Sequence, residues 1–115
     1  MRRGDVYWVN LEPVLGSEAD KMRPAVLVSN DAANRFAERS GAGVLTVVPL
    51  TTNVASVFPF QVLITATVAG LPSDSKAQAE QLRSVAVERI GQRAGSLPVA
   101  TLERLDDALR IHLSL

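Results

Sequence analysis

The chain alternates short unbroken apolar runs with polar connections rich in glycine and proline, and only its last segment carries a helical stripe. Val6-Tyr7-Trp8-Val9-Asn10-Leu11 is β-branched and aromatic and predicts a first strand, stopped at Glu12-Pro13 because proline cannot donate to a ladder. Residues 14–22 have no period and hold a glycine and several charges, a long connection of the kind that is either functional or disordered. Within residues 24–29, Ala25 to Val28 are four apolar positions in a row bounded by Pro24 and Ser29-Asn30-Asp31. They predict a strand covered on both faces, with Arg23 projecting from its end. Asn30 or Asp31 caps a short helix over 32–39, which Gly41-Ala42-Gly43 ends.

Residues 44–51 read as the next strand, where Pro49 suggests an edge or a bulge. Residues 58–65 form another, with Phe58, Phe60, Val62 and Ile64 on one face by period two, and a turn follows at 69–74. Residues 75–88 are harder to place. The run from Lys76 to Arg83 consists of good helix formers and predicts a helix, although Ala77 and Ala79 alternate before the phase switches. Gly91 and Gly95 punctuate a turn. Leu102, Leu105, Leu109 and Leu113 make one narrow stripe of a closing helix, with Ser96 as cap, Pro98 in its first turn and Ile111 on the opposite side. Four or more short strands and a terminal helix predict a mainly β protein, a small bent antiparallel sheet or partial barrel.

At 115 residues the chain has the length of one domain. Aromatics are only 4% of it, so the core must be filled by Val, Leu, Ile and Ala. Twelve basic and twelve acidic residues cancel, and a nucleic-acid binder of this composition needs a local basic patch. The absence of cysteine excludes disulfides, a thiolate nucleophile and Cys-based zinc sites. The N-terminal stretch has no apolar signal region, and no run approaches membrane-spanning length, so a cytoplasmic protein without membrane contact is expected. A single histidine, His112, rules out a two-imidazole pair; it reads as a helix-terminal cation or a packing residue. Neither GxGxxG nor Walker A occurs and the carboxylates are scattered, so no cofactor and no metal are expected.

What remains suits phosphodiester chemistry. Arg23 offers a planar fork of donors matched to phosphate. Thr51 and Thr52 follow an apolar strand and can present hydroxyls to the same mouth, and Glu18 precedes Arg23 in the loop, where a carboxylate can act as general base. RNA brings its own 2′-hydroxyl nucleophile, so a protein need only deprotonate it, stabilise the phosphorane and protonate the leaving oxygen. Each group also has an ordinary reading, as strand-end cation, turn filler or solvated loop charge.

Gly4-Asp5-Val6-Tyr7-Trp8-Val9-Asn10-Leu11-Glu12-Pro13 with Gly16-Ser17-Glu18, followed by Arg23-Pro24-Ala25-Val26-Leu27-Val28-Ser29-Asn30, closely resembles the opening of the MazF/PemK toxin family. Val47-Val48-Pro49-Leu50-Thr51-Thr52-Asn53, Phe58-Pro59-Phe60-Gln61-Val62 and Glu80-Gln81-Leu82-Arg83-Ser84-Val85 resemble its later blocks in order. The resemblance implies one toxin domain over 1–115 with an SH3-like (CcdB/PemK-type) barrel of antiparallel strands and a C-terminal helix. It implies a sequence-specific, metal-independent endoribonuclease of a type II toxin–antitoxin pair, cutting single-stranded RNA to 2′,3′-cyclic phosphate and 5′-hydroxyl ends. It also implies a homodimer with RNA across its interface and an acidic MazE-like antitoxin as partner. Against the propensity above, it makes residues 75–86 largely strand.

By matched position Arg23 is the catalytic arginine, general acid and phosphorane stabiliser, and Thr51 holds the phosphate. Glu18 lies at a loop position implicated in catalysis or RNA contact, and the loop at 14–22 is the one an antitoxin displaces or orders. Some relatives carry histidine at Ser17 and an Arg-x-Asp at Gln78-Ala79-Glu80, so their mechanism does not transfer whole; the general base stays open, with Glu18 the first candidate. Ser17, Lys21, Thr52, Asn53, Lys76, Gln78, Glu80, Gln81 and Arg83 are the expected RNA-binding set. Within it Glu80 and Gln81 read bases or organise the dimer groove, and Arg83 pairs with Glu80 or contacts phosphate. Arg2 and Arg3 add further groove cations. The alternatives are a CcdB-like gyrase poison on the same barrel, or a catalytically silent SH3-like binding module.

Overall fold

Strand β1 (Asp5–Asn10) leads to β2 (Met22–Leu27), α1 (Asp31–Ser40), β3 (Val44–Thr51), β4 (Gln61–Ile64) and a one-turn helix α2 (Ala66–Ala69). Then come β5 (Ser75–Gln78), β6 (Arg83–Ala86), β7 (Ile90–Ser96) and the closing helix α3 (Val99–Leu113). This computed structural model describes residues 1–11 and 22–115; the expected strand stop at Glu12-Pro13, most of the 14–22 connection, and Ser17, Glu18 and Lys21 lie outside the described residues. All strand pairs are antiparallel, in the order β4-β5-β3-β2-β1-β7, with β6 also on β3. The class is mainly β with a C-terminal helix, as the sequence predicts.

Strand β3 organises the sheet. One edge pairs with β2, and the other takes β6 along Val44 to Val47 and β5 at Leu50 and Thr51. Pro49 therefore sits at a local break in that edge. It falls in the gap between the β6 and β5 registers, where its missing N–H leaves no ladder bond unmade on that edge.

The unbroken apolar runs of β2 and β3 are buried on both faces. Val26, Val48 and Leu50 point into one core with Val62, Ile64, Ala77, Leu105 and Leu109, under α3. Ala25, Leu27, Leu45 and Val47 point into a second with Val9, Ala37 and Val85, under α1. Alternate residues feed opposite cores, which is why period two is invisible in these strands. Helix α1 is capped by Asn30, whose side-chain oxygen accepts the Ala33 N–H at 2.8 Å, and ends in Gly41 at φ 66°.

Four expectations need correction. Residues 75–88 are not a helix: β5 and β6 flank a 3-10 turn at Ala79–Gln81, and pairing to β3 and β4 overrides local propensity. The resemblance had this segment right. Gly91 and Gly95 lie inside β7 rather than in a turn, and both admit close backbone, since a Cβ on Gly91 would sit 2.8 Å from the Trp8 carbonyl oxygen. The strand expected over 58–65 is only Gln61–Ile64; Phe58 and Phe60 precede it, stacked on each other at 5.6 Å, with Phe58 exposed. Ser96 ends β7, and Pro98 is the cap residue of α3 rather than part of its first turn. The stripe of α3 buries Leu105 and Leu109, while Leu113 and Ile111 are exposed.

Candidate active site

Two neighbouring strands deliver the candidate groups. The β2–β3 pairing runs from Leu27 opposite Val47 to Ala25 opposite Pro49, and Arg23 and Thr51 lie in the same two strands just beyond its last pair. By strand alternation Arg23 shares the face of Ala25 and Thr51 that of Pro49, an opposed pair, so guanidinium and hydroxyl are presented on one face from rigid elements. Arg23 is the second residue of β2 rather than a projection beyond it; it is exposed, and its Nη1 donates to the Met22 carbonyl at 3.0 Å. The Thr51 hydroxyl oxygen accepts the Asn53 N–H at 3.3 Å, which leaves its proton to be donated elsewhere.

Both side chains line a cleft of about 570 Å³. Thr52 and Gln78 line it too, with Trp8, Leu11, Met22 and Pro24 as an apolar part of the wall and Leu71, Pro72, Ser73 and Ser75 as a further rim. Neither Trp8 nor the 71–75 rim was a candidate on sequence grounds. Trp8 read only as one of the aromatic residues of the first strand, and it is half-buried here, the single tryptophan of the chain. A planar cation, a hydroxyl donor, an amide and an aromatic wall can together hold a phosphate with a base beside it.

The remaining candidates disperse. Lys76 is buried at 7% exposure and donates to the Ser56 carbonyl at 2.6 Å instead of facing the cleft. Glu80 takes a hydrogen bond from Gln61 Nε2 at 2.7 Å, and its other oxygen is buried without a partner among the described residues. Arg83 does not pair with Glu80; its Nη1 donates to the Leu11 carbonyl at 3.0 Å, bracing the chain where it leaves the cleft wall. Gln81 is exposed on the 3-10 turn, and the Asn53 side chain accepts the Ala55 N–H at 3.4 Å. Arg3 is spent on Asp106 at 2.7 Å and the Val28 carbonyl at 2.9 Å, tying the N-terminal segment to α3. The backbone N–H of Arg3 also donates to Asp31, and that hydrogen bond, more than any charge nearby, holds the Asp31 carboxyl below the usual carboxylate range. Among the described residues no group of three or more His, Asp or Glu side chains is placed to hold a metal ion, and no helix is long and apolar enough to cross a membrane.

The same architecture occurs in a solved endoribonuclease in complex with its cognate antitoxin, from a mycobacterial species. It is 25% identical, with a TM-score of 0.77 over 100% of this chain and 96% of that one. The class is that of the toxins of type II toxin–antitoxin systems, on the family match as well as the fold. The chain belongs to the PemK-like, MazF-like toxin family, which it matches over residues 2–113. It is 56% identical over 115 residues to the endoribonuclease MazF9 of Mycobacterium tuberculosis, covering 100% of this chain and 98% of that protein. It is 33% identical over 116 residues to the endoribonuclease EndoA of Bacillus subtilis, covering 100% of this chain and 96% of that one.

Proposed function

We propose that residues 1–115 act as one toxin domain, an endoribonuclease that cuts single-stranded RNA at a short sequence without a metal ion. The observation that carries this is that Arg23 and Thr51 line one cleft, in a chain so similar to named endoribonucleases. A general base removes the 2′-hydroxyl proton, the 2′-oxygen attacks the adjacent phosphorus, and the P–O5′ bond breaks. The products are a 2′,3′-cyclic phosphate and a 5′-hydroxyl. Arg23 neutralises the phosphorane oxygens, where charge develops, and serves as the general acid toward the departing 5′-oxygen. Thr51 donates its hydroxyl to a phosphate oxygen. Glu18 is the first candidate for the base. Thr52 and Gln78 contact the RNA beside the cut, with Ser17, Lys21 and Asn53 in supporting contacts.

Neutral net charge means that the RNA groove draws its cations locally, and a homodimer would double them. We infer such a homodimer, acting in the cytoplasm, held in check by an acidic, partly disordered antitoxin that competes for the groove. The test is cleavage of a long single-stranded RNA in EDTA by wild type and Arg23→Ala, with product ends mapped. Discrete cuts with 5′-hydroxyl ends are expected from wild type. Because removing one oxyanion donor lowers rates about 100- to 1,000-fold, the variant should be nearly silent while folding normally. No cleavage by folded wild type would favour the gyrase-poisoning or silent-module readings.

A further inference from the structure

We propose that Lys76 is a positioning residue, a clamp that holds the 52–60 connection down and thereby fixes Thr51 and Thr52 in the cleft. The sheet register sets one row of opposed residues, Thr51 on β3, Lys76 on β5 and Leu63 on β4. The row beside it, Leu50, Ala77 and Val62, is buried in the core, so the Lys76 row faces outward. Leu63 in that outward row is exposed, yet Lys76 is 7% exposed. Lysine is rarely so buried without a partner, and among the described residues Lys76 makes no ion pair.

The 52–60 connection is what covers it. The ammonium donates to the Ser56 carbonyl at 2.6 Å and lies 5.9 Å from the centre of the Phe58 ring, which is itself stacked on Phe60. The far end is pinned separately: Gln61 Oε1 accepts the Phe58 N–H at 3.1 Å while Gln61 Nε2 donates to Glu80 at 2.7 Å. A cation next to Thr51 on the same face would be an obvious phosphate ligand. Here it is turned into the protein, and the segment it holds begins at Thr52, in the cleft wall. The inference rests on the cleft being the RNA site.

Wild type, Lys76→Met and Phe58→Ala are compared by amide hydrogen exchange over residues 53–60 and by steady-state cleavage of a single-stranded RNA at several salt concentrations. The proposal expects exchange in that segment to rise about tenfold in Lys76→Met, with the β2 and β3 amides unchanged. It expects kcat to fall about tenfold through misplacement of Thr51 and Thr52, with KM and the salt dependence little altered. Phe58→Ala removes the exposed ring from beneath the ammonium and should move both readouts the same way, more weakly; it carries the test if Lys76→Met fails to fold. Unchanged exchange overturns the clamp. Raised exchange with unchanged kcat overturns its positioning role. A raised KM with the salt slope reduced by about one marks a direct phosphate contact instead. If wild type does not cleave, the endoribonuclease reading falls, and the exchange data still decide whether Lys76 clamps the segment.

Discussion

Replacing Gly95 by alanine tests how the cleft rim is held. Gly95 lies in β7 opposite Val6, and a Cβ there would stand 2.5 Å from the Ala69 carbonyl oxygen and 2.9 Å from its carbon, at the end of α2. Both atoms are backbone, so no side chain can swing aside. Reaching ordinary contact at 3.4 Å requires α2 to retreat by 3.4 − 2.5 = 0.9 Å. Gly70 faces the same seam from the other side, where a Cβ would strike the Ala94 carbonyl. Overpacking of this kind costs about 1–3 kcal/mol. For a domain of this size that lowers Tm by roughly 4 °C per kcal/mol, hence by about 4–12 °C. Helix α2 runs directly into Leu71, Pro72 and Ser73, the rim of the cleft, so RNA cleavage should weaken in step. Differential scanning fluorimetry and the EDTA cleavage assay read the two effects. Gly41→Ala is the control, because it meets open space and carries only the strain of a positive φ. A Gly95→Ala protein melting within about 1 °C of wild type would refute the seam as a rigid contact. A lowered Tm with unchanged cleavage would uncouple α2 from the rim.

Asn30→Ala removes the oxygen that accepts the Ala33 N–H and should destabilise the protein by about 1 kcal/mol in urea unfolding, whereas Asn30→Asp should not. The pH response of Asp31 follows from its lowered folded-state pKa: its stabilisation is present above the ordinary value of 3.8 and is lost as pH falls through the folded value. Asp31→Asn keeps an acceptor for the Arg3 N–H but does not titrate, so its urea midpoint should fall less than that of wild type below pH 3.8. Equal acid sensitivity of the two proteins would contradict the assignment.

The elements that could be read from residues are those whose local chemistry and tertiary role agree. Helix α1 starts at an Asn and stops at a glycine, and β3 spans residues 44–51 as its composition demands. The misreadings fall where a neighbour decides. Beyond the brief alternation of Ala77 and Ala79, nothing within Lys76 to Gln81 reveals that two strand edges are waiting for it, so helix formers become a strand and a 3-10 turn. Gly91 and Gly95 looked like turn residues because the backbone pressing on them comes from residues far away in sequence.

The candidate site divides along the same line. Arg23 and Thr51 were legible because each is fixed to a strand with an unmistakable apolar pattern, and adjacency of those strands is enough to bring them together. The charged candidates beyond them were assigned by type, and type is a poor guide once the chain can fold back over the sheet. Lys76 has the position of an RNA ligand, one strand from Thr51 on the same face, and would be one if the 52–60 segment did not cross it. Arg83 likewise reaches the chain at Leu11 rather than a carboxylate. Charges that brace the cleft and charges that touch its substrate are the same residue types, and what separates them is which backbone carbonyl lies within reach.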